Sequence, residues 1–234
     1  MNVSIHQIFY DDTQKSALDP AFIAYDNRSN PEPVWREYHV FRTEYLAGNV
    51  HDGHITGYVS WKFAMKTRVS GRDFVKFLER HPGHDVWFLS PRGIEPRRFR
   101  NVWLQGEHHH PGILGLTQHV FRHCGIDCDL EALEQPESQV LYCNYWVGTR
   151  RFWDAYLAFC EPVRDCLLHR LDSDDRRLLQ SRADRTIDSC YIPFIMERLF
   201  STLLSLRGDL ACKGWDGAGA RRPRRRWFGW RKAS

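Results

Sequence analysis

The densest local chemistry in the chain is the run Gln105-Gly106-Glu107-His108-His109-His110-Pro111-Gly112. One carboxylate beside three imidazoles supplies groups that exchange protons near neutral pH, and Glu107 and His110 are the expected general bases of such a set. Consecutive side chains alternate in direction on an extended chain, so the three imidazoles cannot converge on one metal. The run therefore reads as a proton-handling loop, with a solvated turn as the plain alternative. A second constellation, His119-x3-His123-Cys124-x3-Cys128, carries the i,i+4 histidines of a zinc helix. Cys124 adjoins His123 and turns to another face, so no metal centre is expected there. Glu197-Arg198 lies inside the apolar run YIPFIMERLFSTLL (191–204). Two buried opposite charges destabilise such a helix unless they are satisfied, which makes both residues candidates for chemistry. The alternative is the polar stripe of an amphipathic helix.

Residues 221–232 form a different kind of site. Seven Arg or Lys are interleaved with aromatic residues, and Arg224, Arg225, Arg226, Trp227, Phe228 and Trp230 are its centre. Cations seek anionic headgroups and tryptophans the interfacial layer, so the tail is expected to hold a membrane surface. Pro223 and Gly229 argue against one long helix. Single-stranded nucleic acid is the rival partner, since basic and aromatic residues suit it too. The net charge of the 234-residue chain is +4, so the body without this tail is mildly acidic and is no nucleic-acid platform. The seven cysteines form no regular framework, the start MNVSIHQIFYDD lacks a secretory pattern, and no run reaches the length of a membrane span. A reducing, cytoplasmic setting is expected.

Alternating elements must position these groups. Val3–Tyr10 reads as a strand, Ala21–Tyr25 as a short one, Trp35–Ala47 as a helix with large residues at helical spacing, and His54–Phe63 as a strand. Ser70 caps a helix, with Asp73 completing a capping box, and Asp85–Pro91 is a buried strand. That order is the pattern of an open α/β sheet, whose ligands bind beyond the strand C-termini. Asp26 and Asn27 end the second strand, where a ligand contact or an Asx turn would stand. Gly112–Cys124 reads as a helix, Gln139–Trp146 as a strand, and Thr149–Leu168 and Ser189–Leu206 as helices flanking the charged stretch Asp172–Asp188. Residues 1–210 are expected to be one domain, and 211–234 a Gly/Ala linker and basic tail.

Three stretches resemble small GT-A-like glycosyltransferases of bacterial surface-polysaccharide clusters: IHQIFYDD, WREYHVFRTEYLAGNVHDGHITGYVSWKF, and NYWVGTRRFWDAYLAF followed by YIPFIMERLFSTLL. The resemblance implies a GT-A-like, mostly parallel open sheet flanked by helices, with a helical C-terminal part. It implies a nucleotide-sugar donor in the N-terminal half, with Tyr10, Asp26, Asn27, Glu37, Arg42 and Lys62 as donor contacts. Asp26 or Asn27 would meet a ribose or base edge, and Glu37 and Arg42 could equally form surface pairs with Arg36 or Glu44. The chemistry of the 105–112 run offers Glu107 as base toward an acceptor hydroxyl, and the resemblance brings Glu197 and Arg198 near the active site. The chain departs from the pattern in one respect. The place of the metal-holding Asp-x-Asp is Gly57–Phe63, which contains no acid. Lys62, with Lys66 and Arg68 nearby, could compensate the diphosphate instead, so no cofactor or metal is expected. A lipid-linked or growing glycan at the inner membrane is the expected acceptor, with a polysaccharide-assembly protein as a possible companion. The departure keeps open a non-catalytic binding protein of such a complex.

Overall fold

The computed structural model of the protein describes residues 2–93, 98–184 and 188–215. Six strands, β1 (Asn2–Phe9), β2 (Ile23–Asp26), β3 (His54–Ser60), β4 (Val86–Phe88), β5 (Trp146–Gly148) and β6 (Cys212–Gly214), form one sheet in the order β2-β1-β3-β5-β4-β6. Only β5 runs against its neighbours; β1 pairs parallel with β2 and β3, and β4 parallel with β6. The α/β reading, an open and mostly parallel sheet with flanking helices, is the architecture observed.

Strand alternation divides the core into two layers. Ile8, Tyr58, Val86, Phe88 and Trp146 face the larger layer, packed by α1 (Glu37–Leu46), α4 (Val102–His109), α5 (Ile113–Cys124), α6 (Arg150–His169) and α8 (Ile192–Leu206). Ile5, Ile55, Val59, Trp87 and Val147 face the smaller layer under α2 (Phe63–Thr67) and α3 (Gly71–Arg80). Ser70 caps α3 as expected, the Asp73 amide donating to Ser70 Oγ at 3.1 Å, but the capping box is not closed: the Ser70 hydroxyl, not its backbone N–H, donates to Asp73 Oδ2 at 2.8 Å. Helix α8 is buried on most sides, which its long apolar run requires.

Four expectations about elements are corrected. The run 105–112 is largely helical, because Asn101 caps α4 by accepting from the Trp103 and Leu104 amides at 2.8 and 2.9 Å. The expected strand 139–146 is confined to β5, since Cys143 adopts φ 68° and ends the extended path before Trp146. The charged stretch 172–188 contains a helix, α7 (Ser173–Gln180), capped by Asp172. The sheet also extends past residue 210: β6 pairs with β4, and the Trp215 amide donates to the Phe88 carbonyl at 2.9 Å. Among the described residues no helix is long and apolar enough to cross a membrane.

Candidate active site

Parallel strands bring their C-terminal ends to one edge, and the main cleft opens there, about 370 Å³ in volume. Gln7, fully buried in β1, fixes the turn after β3. Its side-chain amide donates to the Ser60 and Trp61 carbonyls at 3.4 and 3.3 Å, and its oxygen accepts from the Asp19 amide at 2.6 Å. The Trp61 amide continues the β1–β3 ladder to the Ile8 carbonyl at 2.9 Å. Lys62 is thereby placed at the rim, its ammonium 5.1 Å from the Trp61 ring centre. The opposite wall is the start of α1, where Arg36 takes φ 51°, ψ −131° and Glu37 opens the helix. Helix α8 closes the cleft with Phe194, Met196 and Glu197, and the irregular segment before β5 adds Cys143, Asn144 and Tyr145.

The cleft therefore holds two carboxylates, Glu37 and Glu197, and three cations, Arg36, Lys62 and Lys66. Burial holds the Glu37 carboxyl above its ordinary range, and Glu197 adds to the rise while Lys66 and Arg36 oppose it. A carboxyl so placed exchanges its proton nearer neutrality than a free one. Lys66 donates to Cys143 Sγ at 3.2 Å. Burial pulls the Lys66 ammonium down, but the Cys143 sulfur and the carboxylates Glu197 and Glu37 more than offset it. Burial, then Glu197, pushes the Cys143 thiol up to about 12, so it is an uncharged neighbour at neutral pH. Two buried polar atoms lining the cleft, the Tyr10 hydroxyl and Asn144 Oδ1, lack a hydrogen-bond partner of good geometry.

A second cavity of about 620 Å³ adjoins the cleft and shares three of its residues, Cys143, Phe194 and Glu197. His110 lines it, stacked on Phe194 at 3.8 Å between ring centres, with Nδ1 2.9 Å from the Ala183 carbonyl. Burial lowers its pKa, so the ring is neutral near pH 7. Arg198 is 4% exposed and donates to the Val102 and Phe194 carbonyls at 2.9 and 2.8 Å and to Gln105 Oε1 at 2.7 Å. It ties α8 to α4 as a wall of this cavity.

Of the residues expected from the sequence, Tyr10, Glu37, Lys62 and Glu197 meet in the cleft, while His110 and Arg198 lie with Glu197 around the second cavity. Four others lie elsewhere. Glu107 accepts from the Gly112 and Leu114 amides at 2.7 and 3.0 Å, where it satisfies the exposed start of α5 rather than a cavity. Asp26 is held by Arg28, with Nε and Nη2 at 2.9 and 2.5 Å, and that bond lowers its pKa to about 2. Asn27 is buried beside it, and its backbone N–H donates to the Phe9 carbonyl at the end of β1, 2.9 Å. Arg42 pairs with Glu161 of α6 at 2.9 Å, not with Glu44, and Tyr38 donates to the same carboxylate at 2.7 Å. Five residues separate Glu37 from Arg42, so a helix sends the two side chains to different neighbours.

The zinc spacing resolves into other contacts. His119 meets Asp175 at 3.0 Å and Cys124 donates to the Pro162 carbonyl at 3.3 Å. Among the described residues no group of three or more His, Cys, Asp or Glu is placed to hold a metal. The tail residues Arg224, Arg225, Arg226, Trp227, Phe228 and Trp230 lie outside the described residues. Sequence reasoning missed Arg36, Trp61, Cys143 and Asn144 as cleft residues. The available signal was the polar pair Cys143-Asn144 inside an otherwise apolar and aromatic run.

No protein-family model matches the chain, and no curated protein does. A solved structure does: the apo form of WbbM, a bifunctional glycosyltransferase, superposes with a TM-score of 0.53 at 14% identity, over 92% of this chain. This chain shares its fold with part of that structure. At that identity the likeness is one of fold, and this chain spans 44% of the WbbM chain.

Proposed function

We propose that the protein is a glycosyltransferase that moves a sugar from a nucleotide-sugar donor to a glycan or glycolipid acceptor, without a metal. The observation that carries the reading is the pairing of two carboxylates with three cations at the C-terminal edge of the parallel strands. Arg36, Lys62 and Lys66 suit the donor diphosphate, whose charge grows as it leaves. Tyr10, Glu37 and the unpaired Asn144 oxygen suit the sugar hydroxyls. Glu197 borders both cavities and suits the base role. In the proposed step the acceptor oxygen bonds to the anomeric carbon, the bond from that carbon to the diphosphate breaks, the nucleoside diphosphate leaves with the electron pair, and the acceptor proton passes to Glu197. The sequence Ser60-Trp61-Lys62, acid-free at the end of β3, supports metal-independent charge compensation.

The test is a thermal-shift panel of nucleoside diphosphates and their sugars, with and without magnesium or manganese, followed by turnover of the donor that binds. Stabilisation without metal, and loss of transfer in Glu197→Gln with donor binding kept, is the expected result. No shift with any nucleotide sinks the reading. The same acid-free turn favours a second reading, a non-catalytic partner in polysaccharide assembly; nucleotide binding without turnover on any glycan acceptor would decide for it.

The cations and aromatics of the tail support attachment to the cytoplasmic face of an anionic membrane. Full-length protein is expected to sediment with phosphatidylglycerol vesicles, and a chain ending at Trp215 is expected to remain in the supernatant. Equal sedimentation of both would refute the assignment.

A further inference from the structure

The second cavity is larger than the cleft, yet donor binding leaves it unused. Its position is defined by α4, the segment 141–143 and α8, and its wall toward the cleft is Cys143, Phe194 and Glu197. The geometry points to this cavity as a binding site for an uncharged carbohydrate, held against the His110–Phe194 stack with one hydroxyl turned to Glu197. As an acceptor site it rests on the glycosyltransferase reading; as a carbohydrate site it stands on its own residues.

Three observations support it. The volume, about 620 Å³, falls within the range of small-molecule sites. The lining mixes flat aromatic surface with separate hydrogen-bonding groups, as a pyranose requires, since one ring carries both C–H faces and hydroxyls. Phe194 is backed by the near-parallel His110 ring, with 24° between the planes, and Phe99 and Tyr142 add further aromatic surface. Charge also points to a neutral ligand. Among the described residues the basic lining side chains are Arg98 and Arg198 and the acidic ones Asp184 and Glu197, two of each sign. Burial, then His108, lowers the pKa of His109, and burial lowers that of His110, so both rings are neutral near pH 7. A neutral imidazole both donates and accepts, which matches a hydroxyl. The wall is rigid where it matters, because the Arg198 guanidinium is held by three acceptors on two helices.

The experiment is saturation-transfer NMR on the full chain, without donor, using the methyl glycosides of glucose, galactose, mannose, N-acetylglucosamine and glucuronic acid. At least one neutral glycoside is expected to give signals. Phe99→Ala and His109→Ala, both at positions with solvent access, are expected to weaken its Kd about fivefold or more each. Their melting temperatures and their thermal shifts with nucleoside diphosphates should match the wild type. The assignment is overturned if no neutral glycoside gives a signal, if both variants bind like the wild type, or if the glucuronide binds more tightly than the glucoside. Failure of the broader reading looks different. Nucleotides that bind nowhere, with glycoside binding intact and sensitive to Phe99→Ala, would remove the transferase and leave the carbohydrate site.

Discussion

Gly106→Ala separates a helix-propensity argument from a packing argument, because the two predict opposite signs. Gly106 lies inside α4, where alanine is ordinarily favoured by about 0.5–1 kcal/mol. A Cβ built at this position would stand 2.6 Å from Arg198 Nε and 3.1 Å from Ile113 Cγ2. An arginine is usually free to move aside, but this one is buried and held by three acceptors, Nε itself by the Val102 carbonyl at 2.9 Å. A displacement of about 1 Å breaks that charge-assisted bond, at about 1.5–3 kcal/mol, and adds overpacking strain of about 1–3 kcal/mol. After the helix gain is subtracted, a net loss of about 1.5–5.5 kcal/mol remains. For a folded body of this size each kcal/mol lowers Tm by about 2–4 °C, to be read by thermal denaturation. Arg198→Leu ends one atom short of Nε, so in that background the alanine meets no guanidinium. A double-mutant cycle is therefore expected to give a coupling of at least about 1 kcal/mol. A rise in Tm for Gly106→Ala alone, or additive effects in the double variant, would refute the reasoning.

Other perturbations have equally definite outcomes. Glu107→Gln keeps one amide-accepting oxygen and should retain transfer, whereas Glu107→Ala should lose about 1 kcal/mol of stability by calorimetry with turnover per folded molecule unchanged; abolished turnover in the glutamine variant would restore Glu107 as base. Because burial and Glu197 raise the Glu37 pKa, the stability that group contributes is whole below the ordinary carboxylate range and is lost as pH rises through the raised value. Glu37→Gln should therefore melt higher than the wild type at neutral pH, with the gap closing as the pH is lowered below the ordinary carboxylate range; a gap that widens toward acid contradicts the sign. A chain ending at Leu210 loses β6 and the Trp215 contact with Phe77, 5.0 Å between ring centres, and should melt lower by at least about 2 kcal/mol than one ending at Trp215. Equal melting of the two would place the boundary at 210 after all.

The regular elements were legible because their signals are local. Ser70 with Asp73, Gly125 after α5, and the β-branched runs of β1 and β3 each state their own element. The cleft was half legible for the same reason. Tyr10 and Lys62 follow strands that the pattern identifies, and strand ends are where an open sheet places ligands. What could not be read were choices made by partners distant in sequence. Glu107 has the composition of a base, but an amide of the next helix claims it. Arg42 has the spacing of a donor contact, but Glu161, more than a hundred residues away, takes it. Strand β6 is three residues long and pairs only because β4 offers an edge, which no periodicity can announce.

The residues with positive φ that are not glycine are Arg36, Arg68 and Cys143 among those described, and each stands at a joint of the cleft. Arg36 precedes Glu37, Arg68 closes the helix that carries Lys66, and Cys143 receives the Lys66 ammonium. Such conformations destabilise by about 1–3 kcal/mol each and persist where the surroundings over-determine them. Beside Cys143 the surroundings are aromatic: Trp146, three residues on, packs within 6 Å of Phe41, Phe152, Trp153, Tyr156 and Phe200. Arg36→Gly tests whether the strain serves the site. Glycine adopts φ 51°, ψ −131° freely and suits the first position of a helix cap, while its greater freedom in the unfolded chain returns about 0.4–1 kcal/mol. The variant should therefore melt higher, by about 0.5–2 kcal/mol, and yet show a smaller thermal shift with nucleoside diphosphates, because a cleft cation is gone. A variant that melts lower would mean that Arg36 is held by packing rather than strain, and an undiminished shift would take the arginine out of the proposed diphosphate site.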